Sequence, residues 1–216
     1  MAAVNHSYTS PPVADLPLDL DPQNAARLLA ALDVEGKLLR ALDALGPIAG
    51  RDVVAVGCGE GERKRLEEAG ARLTCVDPLG AGDAARWPLA DRSADTIVSV
   101  WSGFRGADPG TLAEADRVLR PEGRLLVVHD YGRDDVSTLR GDLPEYGVWS
   151  RRDGPFLTAG FRIRVIHCWW SFESLEDARS FLAAAFGEAG RQLGERLRRP
   201  RISHKVAVYH RTRGEA

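Results

Sequence analysis

Directly after the apolar run Val53-Val54-Ala55-Val56 stands Gly57-Cys58-Gly59-Glu60-Gly61. Glycines at alternate positions permit a tight turn and let a ligand approach the backbone, because no Cβ stands in the way. A helix that starts near Glu60 aims its free N–H groups at the same spot. Asp77, twenty positions after Gly57, ends a second short strand over Arg72 to Val76. A carboxylate at such a strand end can accept hydrogen bonds from ribose hydroxyls. A dinucleotide fingerprint would need Gly or Ala at position 62, and this chain has Glu62, whose charge at a helix N-terminus repels a pyrophosphate. The ligand that these residues describe is a nucleoside without phosphates.

The elements that position this turn follow from pattern. Val53 to Val56 is a continuous apolar run of the kind expected for a parallel strand buried on both faces. Ahead of it, Asp21-Pro22 is a cap followed by a first-turn proline, and leucines from Leu28 to Leu45 mark helical faces through Gly46, with a break at Gly36. Thr96 to Trp101 and Arg124 to Val128 read as core strands, with a Thr111 to Leu119 helix between them and a turn at Pro121-Glu122-Gly123. Leu175, Ala178, Leu182, Phe186, Ala189, Leu193 and Leu197 recur at helical spacing, so a long helix is expected over Ser174 to Leu197. Ile202, Val206 and Val208 suggest a closing strand.

The Val-Gly-Cys-Gly-Glu-Gly turn followed by a strand ending in Asp resembles motif I and the next acidic position of class I S-adenosylmethionine-dependent methyltransferases. Two further segments agree: Gly82-Asp83-Ala84 running through Trp87-Pro88-Leu89 and Asp91-Arg92-Ser93 into a strand, and Arg117 to Val128 with its Pro121-Glu122-Gly123 turn. Three segments in the right order across residues 50 to 130 make coincidence a poor explanation, where the glycine motif alone would be weak. The resemblance implies a Rossmann-like, doubly wound α/β fold. Its sheet is mostly parallel with an antiparallel last strand, and Phe156 to Phe161 resembles the entry to a sixth strand reaching about Phe172. The cofactor implied is S-adenosylmethionine, held by Gly57, Gly59, Gly61, Asp77, Asp83 and Ala84. In two places the chain departs from the pattern. Ala55 stands where the family has an acidic residue, and only Pro78 to Gly82 separate Asp77 from Asp83, where the family fits a helix and a strand. The fold is therefore shortened after its second strand, and the adenine side of the pocket must be rebuilt. Trp87 is either a new wall for adenine or a core tryptophan.

The cofactor that the resemblance implies already carries an activated methyl group, so the protein chiefly holds a nucleophile in line with it. A hydroxyl acceptor needs a base in addition. His129, Asp130 and Tyr131 lie just past the fifth strand of the implied fold; His129 titrates in the useful range, and Tyr131 either lines the acceptor pocket or closes the core. The alternative for His129 is a strand-end residue bonded to backbone, and Asp130 reads more simply as a cap. Residues 133–155 hold Tyr146, Trp149, Arg151 and Arg152 among Gly and Asp, and form either a substrate lid or a solvated connection. His167 reads as a satisfied core residue.

Composition bounds the rest. The 216 residues, 44% hydrophobic and 28% charged, suit one globular domain over 21–216 after an extended or mobile segment 1–20. No apolar run approaches a membrane span, and Met1 to Leu20 lacks a basic start and an apolar centre. Three scattered cysteines fit a reduced cytoplasmic protein without a cysteine metal site, and no His/Cys/Asp cluster has metal-ligand spacing. The function expected is metal-independent methyl transfer to a small-molecule O or N acceptor. Two alternatives remain. One is a non-catalytic binding protein of the same fold, motivated by Ala55 and the missing helix and strand. The other is an RNA methyltransferase using the cluster Arg191, Arg196, Arg198, Arg199, Arg201 and Lys205. Net charge of −2 and the solvated end of a helix disfavour nucleic acid. So does Val100-Trp101-Ser102-Gly103-Phe104, which lacks the Asn/Asp-Pro-Pro-aromatic clamp of base amino-methylation.

Overall fold

The computed structural model describes residues 18, 20–79, 86–141 and 143–214. In chain order the elements are α1 (Pro22–Ala31), α2 (Lys37–Leu45), β1 (Asp52–Val56), α3 (Glu60–Glu68), β2 (Arg72–Val76), β3 (Ala94–Val100) and α4 (Pro109–Val118), then β4 (Leu119–Asp130), α5 (Asp135–Arg140), α6 (Pro155–Thr158), β5 (Arg162–Ser171), α7 (Leu175–Arg196) and β6 (Arg201–Thr212). The strands form one sheet in the order β2-β1-β3-β4-β6-β5. β2, β1, β3 and β4 pair in parallel, and β6 runs antiparallel between β4 and β5. This is the doubly wound, Rossmann-like α/β arrangement of the class I methyltransferases, with β2 as an outer strand.

Both faces of the sheet are covered, which is why β1 and β3 are buried without alternation. On one face Val53, Ala55, Val98, Leu126 and Val128 pack with Leu38, Ala41 and Leu42 of α2 and Leu66 of α3. On the other, Val54, Val56, Ile97, Leu125, Val127 and Tyr209 meet Leu112, Ala115 and Val118 of α4, together with Trp149 and Phe156. A fully buried side chain such as Ile97 contributes on the order of 1.5–3 kcal/mol. α1 and α7 close over Trp170 and Ile202.

Local chemistry sets the boundaries. The Asp21 side chain accepts the N–H groups of Gln23 and Asn24, with Pro22 in the first turn, and Gly36 at φ +62° separates α1 from α2. Asp108 caps α4 in the same way, with Pro109 at its start.

Several expectations change. Pro121-Glu122-Gly123 does not precede the strand but forms an excursion within β4: Leu119 pairs with Ala94 and Arg124 with Thr96, and Glu122 takes φ +63°. The long C-terminal helix breaks at Gly187, whose φ of 57° with ψ −128° only glycine adopts cheaply. His167 is exposed on β5 rather than buried in the core, because the inward positions of that strand are Cys168 and Trp170. The expected N-terminal segment 1–20 lies outside the described residues except for Leu18 and Leu20, which pack with the α1–α7 cluster.

Candidate functional site

The glycine turn leaves β1 at its C-terminal end. Gly57 sits at φ +66°, and a Cβ there would stand 2.5 Å from Ser102 Cβ and 3.0 Å from Pro78 Cγ, so the position admits only glycine. Its N–H donates to the Val76 carbonyl at 2.7 Å, tying the turn to the end of β2. Gly59 is the N-cap of α3 and supplies no side-chain cap, and Gly61 lies in the first turn. That turn also carries Glu60 and Glu62, a local field that suits a positively charged ligand group and opposes phosphate. Asp77 is exposed just past β2. Asp83 and Ala84 lie outside the described residues.

Trp87 is a core tryptophan. It is 3% exposed, its edge meets Phe104 with ring centroids 6.2 Å apart, and its indole N–H donates to the Asp77 carbonyl at 2.9 Å. It therefore fixes the end of β2 without presenting a face to a ligand. Burial, with the Cys75 thiol beside it, pushes the Cys58 thiol up, so this cysteine of the turn stays protonated. Beside the turn, Leu38, Leu42, Glu62, Arg65, Val100 and Trp101 line a crevice of ≈ 110 Å³. Small-molecule pockets usually occupy about 300–1,000 Å³, so the crevice alone is too narrow for a nucleoside.

A loop connects this turn to the end of β4. Ser102 donates its hydroxyl to the Val56 carbonyl and lies 2.9 Å from the Ser99 hydroxyl, which in turn accepts the Gly103 N–H at 2.8 Å. Within the same loop Trp101, Phe104 and Ala107 all have φ between 55° and 58°. Three non-glycine residues in the left-handed region within seven positions are costly, and such strain collects at functional sites.

His129 lies beneath this loop. It is 1% exposed, bonded through its ring to the Gly103 backbone, with Trp149 at 4.8 Å and Phe156 at 6.1 Å between ring centroids. Burial first, then the Arg105 charge, push its pKa down to about 3. The bond to Gly103 favours a proton on Nδ1, which leaves Nε2 as a lone-pair acceptor, and Nε2 has no hydrogen-bond partner among the described residues. Tyr131 is half-buried against the same cluster, with the Arg133 guanidinium 5.9 Å from its ring centre.

Asp130, the residue between them, points to the opposite face. Its carboxylate accepts the Trp101 indole N–H at 2.9 Å, His204 Nε2–H at 3.0 Å, the Tyr146 hydroxyl at 3.2 Å and the Arg140 guanidinium. His204 Nδ1 accepts the Trp170 indole N–H at 3.0 Å, which fixes the proton on Nε2. Burial alone would raise the Asp130 pKa, but His204 and Arg140 hold it well below the ordinary carboxylate range. This is a saturated buried network rather than the simple cap its sequence position suggests.

The structure thus gathers Gly57, Gly59, Gly61 and Asp77 at the ends of β1 and β2, and His129 and Tyr131 at the end of β4, joined by Ser102 and Gly103. Sequence reasoning missed Ser102, Arg105, Glu145 and Tyr209. The 100–104 stretch was read only for a motif it lacks, and the role of Tyr209 depends on a cross-strand register that no local pattern displays. Among the described residues no three His, Cys, Asp or Glu side chains come together as a metal site, and no helix is long and apolar enough to cross a membrane.

Comparison with known proteins finds methyltransferases. Residues 35–127 match the family described as "Methyltransferase domain". An uncharacterized methyltransferase of Mycobacterium tuberculosis is 33% identical over 132 residues, 53% of this chain and 52% of the relative, so the chain spans about half the length of that protein. The ubiquinone/menaquinone biosynthesis C-methyltransferase of Dinoroseobacter shibae is 42% identical over 69 residues, 31% of this chain and 26% of its own. A crystal structure of a candidate methyltransferase from an antibiotic biosynthesis pathway of Anabaena variabilis superposes with a TM-score of 0.50 at 15% identity, covering 83% of this chain and 97% of that one, a likeness of fold.

Proposed function

We propose that this chain, which belongs to the class I S-adenosylmethionine-dependent methyltransferase family, transfers a methyl group from S-adenosylmethionine to a small-molecule acceptor at the C-terminal ends of β1 and β4, without a metal. The observation that carries this reading is the continuous path from the Gly57 turn through Ser102 and Gly103 to His129. It puts a glycine-lined backbone, an exposed ribose-type carboxylate and a lone-pair acceptor along one rim of the sheet.

The residues fit the cofactor. Gly57, Gly59 and Gly61 leave backbone open to a nucleoside, Asp77 accepts from its ribose hydroxyls, and Asp83 and Ala84 belong to the same set by sequence. Glu60 and Glu62 favour a cationic group over phosphate, as a sulfonium requires. When bound, the cofactor supplies an electrophilic methyl group. What the chain supplies is position and a proton acceptor. His129 Nε2 takes the proton of an acceptor hydroxyl, and Tyr131 lines the acceptor side.

Calorimetric titration with S-adenosylmethionine and S-adenosylhomocysteine tests the reading: one saturable site is expected for each. Absence of binding would remove it. A salt-dependent shift of RNA on titration, with no small-molecule turnover, would move the assignment to RNA methylation.

A further inference from the structure

Among the described residues, His129 and Tyr209 are two neighbouring points at which the packing leaves a buried polar atom unmatched. The register pairs His129 with Ala207 and Val127 with Tyr209, so His129 and Tyr209 stand diagonally on one sheet face. Both are buried. Both rest on Phe156, Tyr209 stacked on it at 3.9 Å between centroids and His129 at 6.1 Å. In both, the outer polar atom, Nε2 of His129 and the hydroxyl of Tyr209, has no hydrogen-bond partner among the described residues. Buried polar atoms are nearly always paired, because an unpaired one costs free energy comparable to a lost hydrogen bond. Two such atoms on one wall, under one segment, mark a surface that its present cover does not complete.

The cover is a run of turns with little regular structure. From Pro144 to Thr158 the chain runs in turns with a single four-residue helix, and Gly147 takes φ +95° with open space around it. Trp149 lies against His129, and the Arg105 guanidinium stands 5.2 Å from the Trp149 ring centre while pairing with Glu145 at 3.1 Å.

Resting on the methyl-transfer reading above, we propose that the acceptor is a phenol, an aromatic ring bearing a hydroxyl, which takes the place of the Trp149 indole against His129 and Tyr209. The chemistry of each surface selects it. Nε2 is a lone pair and needs a donor, which a hydroxyl provides. The Tyr209 hydroxyl pairs with a second oxygen on the ring. The walls are aromatic faces now met by an indole and a phenyl ring, so a flat ring fits where they stand. In the transfer, the phenolic oxygen forms the new O–CH3 bond, the S–CH3 bond breaks with its electron pair remaining on sulfur, and the phenolic proton passes to Nε2.

The test needs no cofactor. Affinities of phenol, catechol and anisole are measured by titration for the wild type, His129→Leu, Tyr209→Phe and Trp149→Ala, with thermal melts confirming folding. Phenol is expected to bind about tenfold more tightly than anisole, which lacks the donor, and His129→Leu to abolish that preference. Trp149→Ala should tighten phenol by opening its place, and Tyr209→Phe should remove the advantage of catechol over phenol while raising the melting temperature. Equal binding of phenol and anisole, or a preference that survives His129→Leu, overturns the inference. So does a lowered melting temperature for Tyr209→Phe, which would mean that ordered water already satisfies that hydroxyl. Cofactor binding without phenol preference sinks this inference alone, whereas phenol preference without cofactor binding sinks the methyl-transfer reading and leaves the phenol site standing.

Discussion

His129 and Asp130 are adjacent in β4, equally buried, and opposite in circumstance. Asp130 faces the α1–α7 side and is saturated by donors from Trp101, Arg140, Tyr146 and His204. His129 faces the α4 side with Nε2 unpaired beneath Trp149. A completed network specifies structure: it fixes the His204 tautomer and ties α5 and Tyr146 to the end of the sheet. The His129 side leaves an acceptor unmatched among the described residues. Two polar residues side by side in sequence therefore have different tasks, and the number of satisfied lone pairs tells them apart where residue type does not.

The largest expected effect comes from breaking the completed network. Asp130→Ala leaves the Arg140 guanidinium buried without its carboxylate, a loss of about 3–5 kcal/mol in denaturant unfolding. His129→Leu, of similar volume, removes the unmatched Nε2 together with the ring's bond to the Gly103 backbone, so in neutral buffer it should cost no more than about 1–2 kcal/mol. A loss as large as that of Asp130→Ala would erase the distinction.

A pH series sharpens the comparison, because the two groups act in different windows. The folded-state pKa of His129 is lowered from 6.5 to about 3, so below pH 6.5 the unfolded chain binds a proton that the folded chain refuses. Stability then falls as pH drops from 6.5 towards 3, and His129→Leu should flatten that slope. Asp130 is depressed below its ordinary 3.8, so its contribution is fully present above that value and lost only on further acidification. An unaltered slope between pH 6 and 4 in His129→Leu would contradict the buried neutral ring.

A smaller effect is expected at the glycine turn. Gly57→Ala brings a Cβ to 2.5 Å from Ser102 and imposes a left-handed backbone on alanine, so the loss in the same unfolding assay should exceed the roughly 1–2 kcal/mol of the backbone conformation alone. Smallest is the exposed histidine: His167→Ala should change stability by less than about 0.5 kcal/mol.

How much of this was legible depended on range. The β1–turn–α3–β2 unit is written locally, in an apolar run, three glycines and a strand ending in Asp77, and the structure has each element where these residues put it. The Asp21-Pro22 helix start and the Gly36 break are equally local. The end of β4 is not. That Asp130 would collect four donors depends on residues 101, 140, 146 and 204, brought together only by the sheet. His167 was misread because inward and outward positions on β5 are set by its pairing with β6, and the Gly187 break was hidden because leucine and alanine spacing continues through it.

The most direct measurement is titration of S-adenosylhomocysteine into the wild type and into Asp77→Ala, with melting curves for both. One-site binding is expected in the wild type, and because Asp77 is exposed beyond β2 the variant should melt as the wild type does. Its affinity should be lower by about tenfold or more, the loss of one or two hydrogen bonds to a charged acceptor at about 1.5–3 kcal/mol each. Equal affinity in the folded variant, or no binding to the wild type, would contradict a cofactor site at the ends of β1 and β2.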